Sequence, residues 1–285
     1  MAPTIGTRRR QVEMVVERGD GPCLVLIPGI QGPWEYARPA VEALAKYFRV
    51  VTFPLGMGCG PAGIDGEVER VEIMLDERRI VRAIVCGISY GGVVATRFAA
   101  TRGARASALI VASAPGAGWH LKRRHEIYAR WPSLCGPCFL VESPFRLTPE
   151  LAAAFPERRA RWRFARWQLQ TMLAAPFSFS QMAERAMLIG RHDIAADCER
   201  VSAPTLVVTG EAELDMVVPV ESTATYAALI RGARTIVLER TGHLGTITRP
   251  SLFADTVNDF VQPFVTRPSP NRGGAGRPAP HTEVA

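Results

Sequence analysis

The chain has 285 residues, of which 47% are hydrophobic and 21% charged, and its formal net charge is +7. This length allows one large α/β unit with a sizeable core, and the composition excludes a disordered or fibrous protein. No apolar run approaches the roughly 20 residues of a membrane-spanning helix.

The arginines near the amino terminus, in "MAPTIGTRRRQVEMVV", are not followed by the apolar stretch of about 7–15 residues that a secretory signal needs. A cytoplasmic protein without membrane contact is expected. The six cysteines (Cys23, Cys59, Cys86, Cys135, Cys138, Cys198) are scattered, so no disulfide framework is expected.

Along the chain, short apolar runs alternate with helix-length segments. "CLVLI" (23–27) comes first, followed by the loop "PGIQGPWEY" and a helix candidate over Pro39–Tyr47. "VVTF" (50–53) leads into Gly58-Cys59-Gly60-Pro61-Ala62-Gly63, then a helix over Asp65–Arg79. The glycine run formally fits a dinucleotide fingerprint, but it follows the second apolar run rather than the first, and no acidic residue ends the next one. It reads as a turn at a site's rim. "AIVC" (83–86), "ALIVA" (108–112), "TLVVT" (205–209) and "TIVL" (235–238) complete the runs, with helices over Tyr90–Thr101, Val220–Ile230 and Ser251–Val261. Near-continuous apolar runs fit strands buried on both faces, so the pattern predicts a mostly parallel sheet with helices on both sides.

The alternation stops at 117–200, where the chain turns helical, aromatic and arginine-rich, with prolines at 132, 137, 144, 149, 156 and 176. This predicts a helical cap inserted between core segments 8–116 and 201–265. The last segment, 266–285, is rich in Pro and Gly and is expected to be a disordered tail. Between Ala117 and Trp167 there are ten Lys or Arg against four Glu. No nucleic-acid module accompanies that excess, so a solvated helix face is expected rather than nucleic-acid binding. Cys135-Gly136-Pro137-Cys138 has the C-x-x-C spacing, but no strand feeds it, so it is read as a structural turn. Trp162, Phe164, Trp167, Leu169, Met172 and Phe177 are candidates for a lipophilic lid.

The chemistry-bearing motif is Gly87-Ile88-Ser89-Tyr90-Gly91, set between a buried run and a helical segment. At a strand-to-helix elbow the glycines let strand and helix pack closely while the serine is held in a strained conformation. A serine hydroxyl needs a base, and the base needs an acceptor to orient it. His243 follows an apolar run between Gly242 and Gly245 and is the best placed of the five histidines. Glu213 and Asp215 follow "TLVVT" and are the candidate carboxylates.

The order Ser89, acid, His243, with "VVTGE", "DMVVP" and "GHLG", resembles the α/β-hydrolase superfamily over roughly Gln11 to Val265. The resemblance implies the α/β-hydrolase fold and a triad of Ser89, His243 and an acid. Its usual loop spacing makes Gly210 point to Glu213 and Pro219 to Asp215, because the loop here is two residues longer. Asp215 is favoured, since "DMVVP" keeps the spacing into the helix, with Glu213 as the alternative. The implied oxyanion donors are the backbone N–H groups of Tyr90 and Ile30. Pro28 stands where relatives usually carry His, so a group that orients this loop is missing. Gln31 and Trp34 are candidate substrate-lining residues.

The expected activity is a serine hydrolase cleaving an ester or related acyl bond of a small to medium, partly hydrophobic substrate, with no cofactor or metal. A ligand-binding protein on the same fold, or a hydrolase of thioesters, lactones or activated carbon–carbon bonds, are the alternatives.

Overall fold

The computed structural model describes residues 15–56 and 63–265. Most of the Gly58–Gly63 run, Cys59 and the 266–285 tail lie outside them. Seven strands form one sheet: β1 (Val16–Arg18), β2 (Cys23–Ile27), β3 (Arg49–Thr52), β4 (Ala83–Ile88), β5 (Ala106–Ala112), β6 (Thr205–Thr209) and β7 (Arg234–Val237). Their order is β1-β3-β2-β4-β5-β6-β7, all parallel except β1, which pairs antiparallel with β3. The expected α/β-hydrolase architecture is therefore observed.

Alternate residues of β2 to β6 feed two cores. Val25, Ile27, Val51, Val85, Leu109 and Val207 face α2 (Gly63–Glu77) and α3 (Tyr90–Thr101). Leu24, Leu26, Val50, Ile84, Ile110 and Leu206 face α1 (Arg38–Leu44) and the helix Pro250–Val261. Residues one apart on a strand point to opposite faces, so only runs apolar at every position satisfy both layers.

Two edge strands depart from the sequence expectation. β1, "VER", is only three residues long and has no apolar run to betray it. β7 was read from its apolar run as buried on both faces, yet all four of its residues are exposed, because it closes the far edge of the sheet.

After β2 the chain steps to β3 on one side and returns to β4 on the other. The carboxyl ends of β2 and β4 thus flank a topological switch point, the crevice where open α/β sheets bind ligands.

Segment 117–200 holds five helices: α4 (Arg123–Arg130), α5 (Pro132–Ala154), α6 (Arg158–Ala174), α7 (Phe179–Arg191) and α8 (Ile194–Arg200). Ile194 and Cys198 of α8 belong to the same buried cluster as α3. Cys135 and Cys138 lie in α5 with free thiols; they are helical, not part of a turn. Among the described residues no helix is long and apolar enough to cross a membrane.

Candidate active site

Ser89 sits between β4 and α3 with φ 54° and ψ −121°, a left-handed conformation that is rare for a residue with a side chain and costs of order 1–3 kcal/mol. Two bonds hold it there: the Ser89 N–H donates to the Ala112 carbonyl at 2.8 Å, and the Gly92 N–H to the Ser89 carbonyl at 2.8 Å. The flanking glycines are required by backbone contact. A Cβ on Gly87 would overlap the Gly91 carbonyl oxygen, and one on Gly91 would overlap that of Ile27.

Asp215 and His243 come from the loops after β6 and β7. These loops lie back to back, with the Glu211 N–H donating to the Thr241 carbonyl at 2.8 Å. A Cβ on Gly242 would strike the Leu214 carbonyl, so glycine permits that approach. The buried Asp215 carboxylate accepts the N–H groups of Val217 at 3.0 Å and Val218 at 2.9 Å through Oδ1. Its Oδ2 lies 3.4 Å from His243 Nδ1, an atom that is itself buried and has no other partner among the described residues. Glu213 is exposed on the same loop. The structure thus brings Asp215, not Glu213, to the histidine.

The loop after β2 abuts the serine: a Cβ on Gly29 would stand 3.7 Å from Ser89 Cβ. A turn closes it, with the Gly32 N–H donating to the Gly29 carbonyl at 3.0 Å. Ile30 is partly buried against the core, and Tyr90 is fully buried at the start of α3, where helix amides point toward the helix start. Gln31 Oε1 folds back toward Gly29. Trp34 packs on the core of the opposite sheet face, with the Arg38 guanidinium 5.5 Å from its ring centre.

Arg185 of α7 was missed by the sequence reading. It is 1% exposed, and its guanidinium donates to the carbonyls of Ile30 and Gly56, each at 2.8 Å. A Cβ on Gly32 would lie 2.8 Å from its Nη1, so the loop is moulded to it. Glu67 is buried beside it; burial raises this carboxyl above its ordinary value, while the charges of Arg70 and Arg185 oppose the rise. Its Oε1 accepts the Gly56 N–H at 3.0 Å. The loop without the usual histidine is thus held by an arginine from helix α7. Only helical periodicity could have marked it: Met182, Ala183, Ala186 and Ile189 bury the same face.

Helix α5 grips the other two loops through one face. Arg146 donates to the Met216 carbonyl at 2.9 Å, Glu150 Oε1 accepts the Leu244 N–H at 2.7 Å, and the Ala153 carbonyl accepts from Arg240 Nε at 3.0 Å. Residues 146, 150 and 153 recur at helical spacing.

The proposed lid stripe divides. Phe164 packs against Phe155 and Trp167 at 5.4 and 5.5 Å between ring centres, and Phe177 sits at 6.0 Å from Tyr36. Trp162 and Leu169 are 74% and 57% exposed. Seven residues apart, they share the face of α6 opposite buried Thr171, since seven residues complete two turns.

An alpha/beta hydrolase family model matches residues 24–256. A pimeloyl-[acyl-carrier protein] methyl ester esterase of Aeromonas salmonicida is 30% identical over 86% of this chain and 98% of its own length. Among solved structures, the enol-lactonase from Burkholderia xenovorans superposes with a TM-score of 0.70 at 21% identity, covering 87% of this chain and 95% of its own. A meta-cleavage product hydrolase from Pseudomonas fluorescens gives a TM-score of 0.66 at 22% identity, with 87% and 93% covered.

Proposed function

The chain belongs to the alpha/beta hydrolase family, and on that premise we propose that it is a serine hydrolase cleaving an ester or related acyl bond of a small to medium, partly hydrophobic substrate. What supports this reading is a left-handed Ser89 at the strand-to-helix elbow after β4, together with a buried Asp215–His243 pair on the loops after β6 and β7, at the same carboxyl edge of the parallel strands. Ser89 Oγ attacks the carbonyl carbon while His243 Nε2 accepts its proton. Asp215 holds the Nδ1 side and stabilises the imidazolium that forms. The N–H groups of Ile30 and Tyr90 receive the oxyanion, which collapses to an acyl-serine as His243 returns the proton to the leaving oxygen. Water, deprotonated by the same histidine, then releases the acid.

The 3.4 Å gap between Asp215 and His243 is consistent with an unliganded site, whose catalytic hydrogen bonds tighten when substrate binds. Thioesters, lactones and activated carbon–carbon bonds would use the same groups and belong on the same substrate panel. A ligand-binding protein on this fold is the competing reading, favoured by that same gap.

A fluorophosphonate probe distinguishes the two. The protein is expected to be labelled at Ser89, as located by peptide mass, and Ser89→Ala and His243→Ala should both abolish labelling. Labelling that persists in His243→Ala would remove the histidine from the mechanism, and saturable ligand binding without any labelling would favour the binding protein.

A further inference from the structure

Glu150 is a fully buried carboxyl group that the triad chemistry does not use. It is 0% exposed and projects from cap helix α5 onto the loop that carries His243. Its Oε1 accepts the Leu244 N–H at 2.7 Å, and the Gly242 N–H lies near enough to favour its charged form. It therefore engages the peptide group that follows the histidine directly. Among the described residues its Oε2 has no partner of hydrogen-bond geometry, although the atom is buried. Burying a polar atom without a partner is unfavourable, so a leucine would suit plain packing better. The charged groups that act on it are His243 and Asp215 from the two loops. Burial pushes its pKa up to about 7, against the pull of the two N–H groups and His243. Below that pH, then, the protonated side chain resembles a neutral primary amide in charge and shape.

We propose that Glu150 is a positioning residue which, from the cap, clamps the His243–Leu244 peptide group and so fixes the imidazole between Asp215 and Ser89. This rests on the triad reading given above. The link runs through hydrogen bonds rather than charge, and it makes seating of α5 a condition for an active histidine. Arg146, on the same helix face, holds the carbonyl next to Asp215 in a parallel way.

Three substitutions separate bond from charge. Glu150→Gln keeps an acceptor oxygen at the same reach, whereas Glu150→Asp keeps the acid but withdraws the oxygen by one methylene. Glu150→Ala removes both. The rate of fluorophosphonate labelling at Ser89 and the kcat and KM for an ester substrate are measured at pH 6.5, beside urea unfolding of each variant. Glu150→Gln is expected to stay within about 3-fold of the parent, while Glu150→Asp and Glu150→Ala lose about 10–100-fold in labelling rate and kcat, the usual scale for groups that orient a reacting residue. KM should move by less than about 3-fold, since binding is not what the clamp controls.

Parent-like labelling in Glu150→Asp, a loss confined to Glu150→Gln, or a rise in KM at unchanged kcat would each overturn the proposal. Should Glu150→Ala fail to fold, the Gln and Asp variants still decide it. Failure of the triad reading shows separately, as labelling that survives His243→Ala in the otherwise unaltered chain.

Discussion

Asp215 and Glu213 lie two residues apart on one loop, and the spacing of the sequence alone pointed to both. Burial separates them: Asp215 is enclosed and bonded by two backbone N–H groups, whereas Glu213 is exposed. Asp215→Asn is expected to lower kcat by about 10³–10⁴-fold, and Glu213→Gln to leave it unchanged, as read from steady-state ester hydrolysis. The serine was legible because a motif with backbone consequences surrounds it, each glycine being forced by a neighbouring carbonyl. Arg185 and Glu150 were not legible. Each is one charged residue among many in the helical segment, and beyond its place on a helix face no residue type or motif marks the one that turns inward. What pulls them in is a partner more than 90 residues away along the chain: Ile30 for Arg185, Leu244 for Glu150.

At the scale of elements, the strands were found wherever both sheet faces were covered, and β1 escaped because an edge strand needs no apolar run. Helices α2, α3 and α8 are tied by charges the sequence did not expose. Arg97 of α3 reaches Asp65 of α2 at 2.7 Å and Asp197 of α8 at 2.8 Å, and Asp197 also binds His192 at 2.6 Å. Burial pushes Asp197 up, but the bonds from His192 and Arg97 outweigh it and hold the carboxyl below its ordinary range. Asp197→Asn takes a buried acceptor away from Arg97 and His192, although Arg97 keeps Asp65. It should cost about 2 kcal/mol, the scale of a hydrogen bond to a charged group, while Asp65→Asn, at an exposed carboxylate, should cost under about 1 kcal/mol. Urea unfolding of the two variants at pH 7 checks the contrast.

For the whole molecule, the two buried carboxyl groups act on stability at opposite ends of the pH scale. Asp197, lowered in the fold, supports the native state above the ordinary aspartate range and loses that support on acidification below it. Glu150, raised from 4.5 to about 7, keeps its proton in the fold after the unfolded chain has released its own. The native state is therefore relatively favoured below about pH 4.5 and progressively penalised as pH climbs through about 7, by about 3 kcal/mol in total. Unfolding free energies at pH 5 and pH 8 should differ by less in Glu150→Gln than in the parent; an equal difference in both would remove Glu150 as the source. Arg185 carries a further consequence. The loop beside Ser89 owes its shape to a side chain of the helical segment 117–200, reached across more than 150 residues of chain. That segment is thus no interchangeable module. A chimera that grafted foreign helices onto this sheet would inherit Ser89, Asp215 and His243, yet leave the Ile30 and Gly56 carbonyls without their donor. Any exchange of the segment has to carry that arginine across with it.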